Sequence, residues 1–105
     1  MIMSTVYDYP AGLPLPPVHP GETLAEEMAA RGLSANALAL KLRVPANRIT
    51  EIINGERGIS AETALRLGRY FSTGARFWVN LQARYELAVA ERELGAKIER
   101  EVEAA

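Results

Sequence analysis

Between Ala46 and Arg57 the chain carries a mixture of small and polar side chains, Ala46, Asn47, Arg48, Thr50, Glu51, Asn54 and Arg57. Their chemistry is that of reading surfaces rather than of breaking bonds. An asparagine amide can pair bidentately with adenine, a threonine methyl can meet the methyl of thymine, a glutamate can accept from cytosine, and an arginine can take guanine or phosphate. Val44, Ile49 and Ile52 interleave with this set at helical spacing, so turning them inward leaves Ala46, Asn47 and Thr50 outward, with Arg48 and Glu51 nearer the edge. Asn54 and Arg57 then lie just beyond, where short polar groups and cations hold phosphate and set register. A solvated face of an ordinary helical protein would carry the same mixture, and the residues alone leave both readings open.

Bond-making chemistry finds no such cluster. His19 is the only histidine, precedes a proline, and has no Asp, Ser or Cys constellation around it. It is expected to pack or hydrogen-bond at the start of a helix. The absence of cysteine removes disulfides, thiolate metal sites and cysteine nucleophiles, and suits a reducing cytoplasm. No enzyme, cofactor or metal site is therefore expected. The start, Met1 to Thr5, lacks a cationic segment followed by an apolar core, and no apolar run approaches the roughly eighteen residues of a membrane span. A cytoplasmic protein with no membrane partner is expected.

The formal net charge is −1, which looks unfavourable for holding phosphate, but the charges are unevenly placed. From Arg31 to Arg76 the chain has Arg31, Lys41, Arg43, Arg48, Arg57, Arg66, Arg69 and Arg76 against only Glu51, Glu56 and Glu62. Acidic flanks compensate. A basic centre is what a chain with one nucleic-acid face would show, although solvated helices produce such imbalances too.

The elements that must position these residues read as helices. The chain has 105 residues, the size of one domain, and is rich in Ala, Leu, Glu and Arg. Residues 1–20 hold all but one of the prolines, and residues 1–19 read as an extended arm, whose Tyr7, Tyr9, Leu13, Leu15 and Val18 either pack on the body or meet a partner. Residues 20–105 read as five helices. The first spans Pro20 to Arg31, with Leu24 and Met28 inward and Gly32 as its stop. Ser34 caps the second, which ends near Leu42 with Ala37, Leu38, Ala39 and the stem of Lys41 inward. A short turn at Arg43-Val44 leads to a third helix from Pro45 to Asn54-Gly55. Two short helices so joined are the helix-turn-helix signal. Ser60 caps a fourth, with Ala64, Leu65, Leu67, Gly68 and Phe71 at helical spacing. A fifth runs from Gly74-Ala75 to about Val102, carrying Phe77, Trp78, Leu81, Tyr85 and Ala88 on a first stripe. Trp78 is assigned to the core. Asn80 and Gln82 either face a partner, cap a neighbouring helix or are wet. A second stripe of Leu87, Leu94, Ile98 and Val102 is close to heptad spacing and outruns the domain, which makes it the candidate dimer contact. Gly95 is a weak point of this helix, and the charged tail is expected to form i, i+4 pairs.

The segment Leu33 to Arg57 resembles the helix-turn-helix of the Cro/CI-like (XRE) family, with its capping Ser34, its Ala in the second helix, Val44, Ile49, Ile52 and a closing Asn54-Gly55. His19-Pro20-Gly21-Glu22-Thr23-Leu24, Leu33 to Ala39, Thr63-Ala64-Leu65-Arg66-Leu67 and Phe77-Trp78-Val79-Asn80-Leu81-Gln82 are similar, in order and spacing, to the blocks of HigA-type antitoxins. The resemblance implies an all-α, five-helix Cro/CI-like domain. It further implies a homodimer that binds double-stranded operator DNA and neutralises a HigB-like ribonuclease toxin. It carries the reading role to Ala46, Asn47, Arg48, Thr50 and Glu51, and backbone contact to Arg57. Two positions depart from the pattern. Arg43 stands where a turn glycine is usual, which predicts a left-handed arginine that is slightly strained or that offsets its cost by reaching phosphate. Ala35 stands where many general family members place Gln. A regulator of the same fold without a toxin, and an interaction module that no longer binds DNA, remain the alternatives.

Overall fold

The computed structural model describes residues 16–105, which form five helices and no strand. Tyr7, Tyr9, Leu13 and Leu15, and with them most of the expected arm, lie outside the described residues. Helix α1 spans Pro20–Ala30. Its first turn is set by a proline that needs no donor there and by His19, whose Nδ1 accepts the Gly21 N–H at 2.9 Å. The ring of His19 also meets Tyr85 edge-on at 4.8 Å. Leu24 and Met28 are buried, and Gly32 ends the turn at φ 64°.

Helix α2, Ala35–Leu42, begins where Ser34 Oγ accepts the Ala37 N–H at 3.1 Å, and buries Leu38, Ala39 and Leu42. Helix α3, Ala46–Ile53, follows after Pro45 and buries Ile49 and Ile52 completely, while Val44 is half-buried against the same core. Helix α4, Ala61–Phe71, is capped by Ser60 Oγ on the Thr63 N–H at 3.2 Å. Helix α5, Ala75–Glu101, has 27 residues and so runs on the order of 40 Å.

Helix α4 packs most extensively on α5, α2 crosses α3, and α1 lies on α3 with a smaller contact to α5. The centre is Leu24, Leu38, Ile49, Ile52, Leu67 and Trp78. Trp78 is fully buried as expected, and its Nε1 donates to Thr73 Oγ1 at 2.9 Å, so the indole has no unsatisfied donor. Gly21 permits the approach of α1 to α3, because a Cβ there would run into the backbone of Ile52.

Three details correct the helical spacing read from sequence. Leu65 faces solvent at 64% exposure, Phe77 is 41% exposed, and Lys41 is exposed rather than tucked inward. In each case the neighbouring residues, Ala64 and Leu67, Trp78, or Leu38 and Leu42, already fill the inward arc of the helix. No helix among the described residues is long and apolar enough to cross a membrane.

Candidate nucleic-acid interface

The turn between α2 and α3 determines what α3 shows. Arg43 closes α2 at φ 60°, ψ 47°, the left-handed conformation its replacement of a glycine requires. Its N–H and that of Val44 return to Leu40 and Ala39 carbonyls at 3.3 and 3.0 Å. Pro45 then starts α3 with a fixed φ, and the burial of Ile49 and Ile52 sets its rotation about its own axis. Ala46, Asn47 and Thr50 consequently face outward, and Asn54 and Arg57 are exposed beyond the helix end.

The polar set is internally organised. Asn47 Nδ2 donates to Glu51 Oε2 at 3.4 Å, and Arg57 Nε donates to Glu51 Oε1 at 2.7 Å, so Glu51 lies between two of its neighbours. Thr50 Oγ1 donates back to the Ala46 carbonyl at 3.4 Å, leaving its methyl as the outward group. Arg48 is different. It is half-buried and turns toward α4, where its NH1 donates to Glu62 Oε1 at 3.3 Å.

Glu62 is also held by Arg66, whose Nε donates to its other oxygen at 3.0 Å, and Arg66 NH1 continues to the Leu42 carbonyl at 2.8 Å. This chain of contacts ties the first turn of α3 to the end of α2 through α4. The hydrogen bond from Arg66, reinforced by the charges of Arg48 and Arg66, holds the Glu62 carboxyl below the ordinary glutamate range. Sequence reasoning missed Glu62 and Arg66 as organisers, because a contact across 14 or 24 residues leaves no local periodicity.

Arg43 stands with Lys41, Arg66 and Arg69 around Tyr70 in a shallow basic pocket beside the turn. On the other flank Asn36, Ala39, Leu40, Val44 and Ala46 line a mostly apolar notch at the start of α3. The segment between α3 and α4 is fastened by Gln82, whose Oε1 accepts the Ile59 N–H at 2.8 Å while its Nε2 donates to Glu86 at 2.8 Å. Of the roles left open for Gln82, the structure selects a cap on a neighbouring segment. A rigid edge results, with hydrogen-bonding groups and methyls outward and cations on its flanks.

A helix-turn-helix family profile matches residues 24–78. Virulence-associated protein I of Dichelobacter nodosus is 51% identical over 80 residues, covering 75% of this chain and 74% of its own. Among solved structures, an addiction module antidote protein of a HigA family from Coxiella burnetii superposes with a TM-score of 0.84 at 49% identity, covering 87% of this chain and all (100%) of that one. Pseudomonas aeruginosa antitoxin HigA, solved with the higBA promoter, superposes at 0.81 with 49% identity, covering 83% and 96% of the two chains.

Proposed function

Because this chain belongs to the XRE-type helix-turn-helix family, with HigA-family antitoxins as its structural neighbours, we propose that it is the antitoxin and self-repressor of a toxin–antitoxin pair. It binds its own operator as a dimer through α3, and it neutralises a HigB-like ribonuclease toxin. The observation that carries the DNA half is the outward edge of Ala46, Asn47 and Thr50 on a helix whose rotation is fixed by Ile49 and Ile52. The solution of HigA with the higBA promoter and of antitoxin GraA with its operator supports that reading. Asn54, Arg57 and Arg43 hold the sugar-phosphate backbone on either side, and two copies place their α3 helices about one DNA turn, roughly 34 Å, apart.

Binding of the chain to its own promoter fragment tests this across a salt series. Affinity should fall steeply as salt rises, and operator should be preferred over random duplex. The double substitution Asn47→Ala, Thr50→Ala removes two outward groups with no tertiary partner, whereas changing Arg48 would also cut the tie to Glu62. The Asn47, Thr50 double variant should reduce the preference for operator by roughly thirtyfold or more, at about 1–3 kcal/mol per good base contact, with helical content unchanged. Unaltered preference removes α3 from the account. The toxin half is tested by co-expression with the neighbouring gene product, expecting relief of growth arrest and an isolable complex.

A further inference from the structure

Glu51 has the residue type to read cytosine, yet both of its carboxylate oxygens are already engaged by its own chain. Oε2 accepts from Asn47 Nδ2 at 3.4 Å and Oε1 accepts from Arg57 Nε at 2.7 Å. The Glu51 and Arg57 side chains are respectively 33% and 47% exposed, so the pair sits on the surface. Pairs this exposed contribute little to stability. A carboxylate on a surface that meets phosphate also weakens attraction to the duplex. Neither stability nor affinity therefore explains an acid at this position, and what remains is orientation.

We infer that Glu51 is a positioning residue that gives the α3 edge its selectivity, by aiming the Asn47 amide and by restraining Arg57 from binding any phosphate it meets. The inference rests on the DNA-binding reading proposed above. A carboxylate only accepts, so it takes one N–H of the Asn47 amide and leaves Oδ1 and the other N–H for a partner, the pair of groups adenine requires. The same carboxylate holds the Arg57 guanidinium by its Nε, leaving the terminal nitrogens to reach a phosphate at one place instead of sweeping the surface. Glu51 thereby lowers attraction to all DNA while raising the difference between the right site and the wrong one, which is how specificity is built from a repulsive element.

The test compares the full-length wild-type chain, Glu51→Gln, Arg57→Gln and the double variant, on operator and on random duplex over a salt series, with circular dichroism as the folding control. Glu51→Gln should bind random duplex about 3- to 10-fold more tightly, with the slope of log K against log salt steeper by about 1, because Arg57 is released. The operator-to-random ratio should fall by about tenfold, and the effects of Glu51→Gln and Arg57→Gln should be strongly non-additive, as expected of groups acting through one another. Loss of discrimination at one cytosine-bearing position alone, with random binding and salt slope unchanged, would make Glu51 a base reader and overturn the inference. Additive single effects would overturn it as well. A wild-type chain that holds operator no better than random duplex would overturn the DNA reading itself, and this inference with it.

Discussion

At the scale of single residues, Arg43 shows how a local backbone requirement and a charge compete for one position. A non-glycine residue in the left-handed conformation is disfavoured by about 1–2 kcal/mol, and Arg43 adopts it at φ 60°. Replacement by glycine removes that strain but also frees the unfolded chain, an opposing effect of about 0.4–1 kcal/mol. Arg43→Gly should therefore raise stability by roughly 0.5 kcal/mol, a few degrees in Tm for a domain this small. Arg43 also stands at the basic pocket with Lys41, Arg66 and Arg69. If its role is phosphate contact, the more stable variant should bind operator and random duplex less tightly to a similar degree, with a salt slope shallower by about 1. Thermal melts and salt-dependent binding on the same preparation separate the two effects. A variant that is more stable and binds equally well would leave Arg43 without a role in DNA contact.

At the scale of elements, α4 acts as a brace for the α2–α3 turn, and its working part is Glu62. The direction of its titration fixes the pH dependence. Its folded carboxyl is held below the ordinary value, chiefly by the Arg66 hydrogen bond and then by Arg48, so its contribution is present above the unfolded value and is lost as pH falls through the folded one. Glu62→Gln should accordingly melt slightly below wild type at neutral pH, and the difference should shrink as acidification protonates the Glu62 carboxyl. Melting curves across that range check it; a gap that widens in acid would contradict the assignment. The brace was not legible in the sequence, whereas the elements it joins were. Ser34 and Ser60 announced their helices through capping chemistry, and Ile49 and Ile52 announced their inward face through spacing. Arg66 meets the Leu42 carbonyl and Gln82 meets the Ile59 N–H only after the chain has folded back, and no property of either residue type points to those partners. The left-handed Ser72, at φ 60°, was equally hidden, since glycine rather than serine is the residue that signals such a turn.

At the scale of the whole molecule, the length of α5 is the fact that asks for a second copy. Its first half is anchored by Trp78 and by half-buried Leu81, Tyr85 and Ala88, but beyond Ala90 every residue except Gly95 is exposed. Leu94 and Ile98 remain 45% and 48% exposed, with Leu87 and Val102 in line with them at 61% and 66%. Gly95 weakens that half by roughly 1 kcal/mol relative to alanine, and the Lys97–Glu101 pair at 3.1 Å is exposed and adds little. A projecting helical half of this kind is marginal in water unless its apolar stripe is covered. Sequence spacing brought out the stripe, but whether a second copy covers it depends on contacts between chains, which the spacing within one chain does not encode. The proposed pairing through this stripe predicts that Leu94→Glu with Ile98→Glu yields a monomer in sedimentation and loses helical content from the C-terminal half alone. Operator affinity should then fall by at least tenfold, because two half-sites are no longer held one DNA turn apart, while binding of each chain to random duplex changes little. A variant that sediments as a dimer would move the interface off α5. A monomeric variant with undiminished operator affinity would show instead that one α3 is sufficient to read the site.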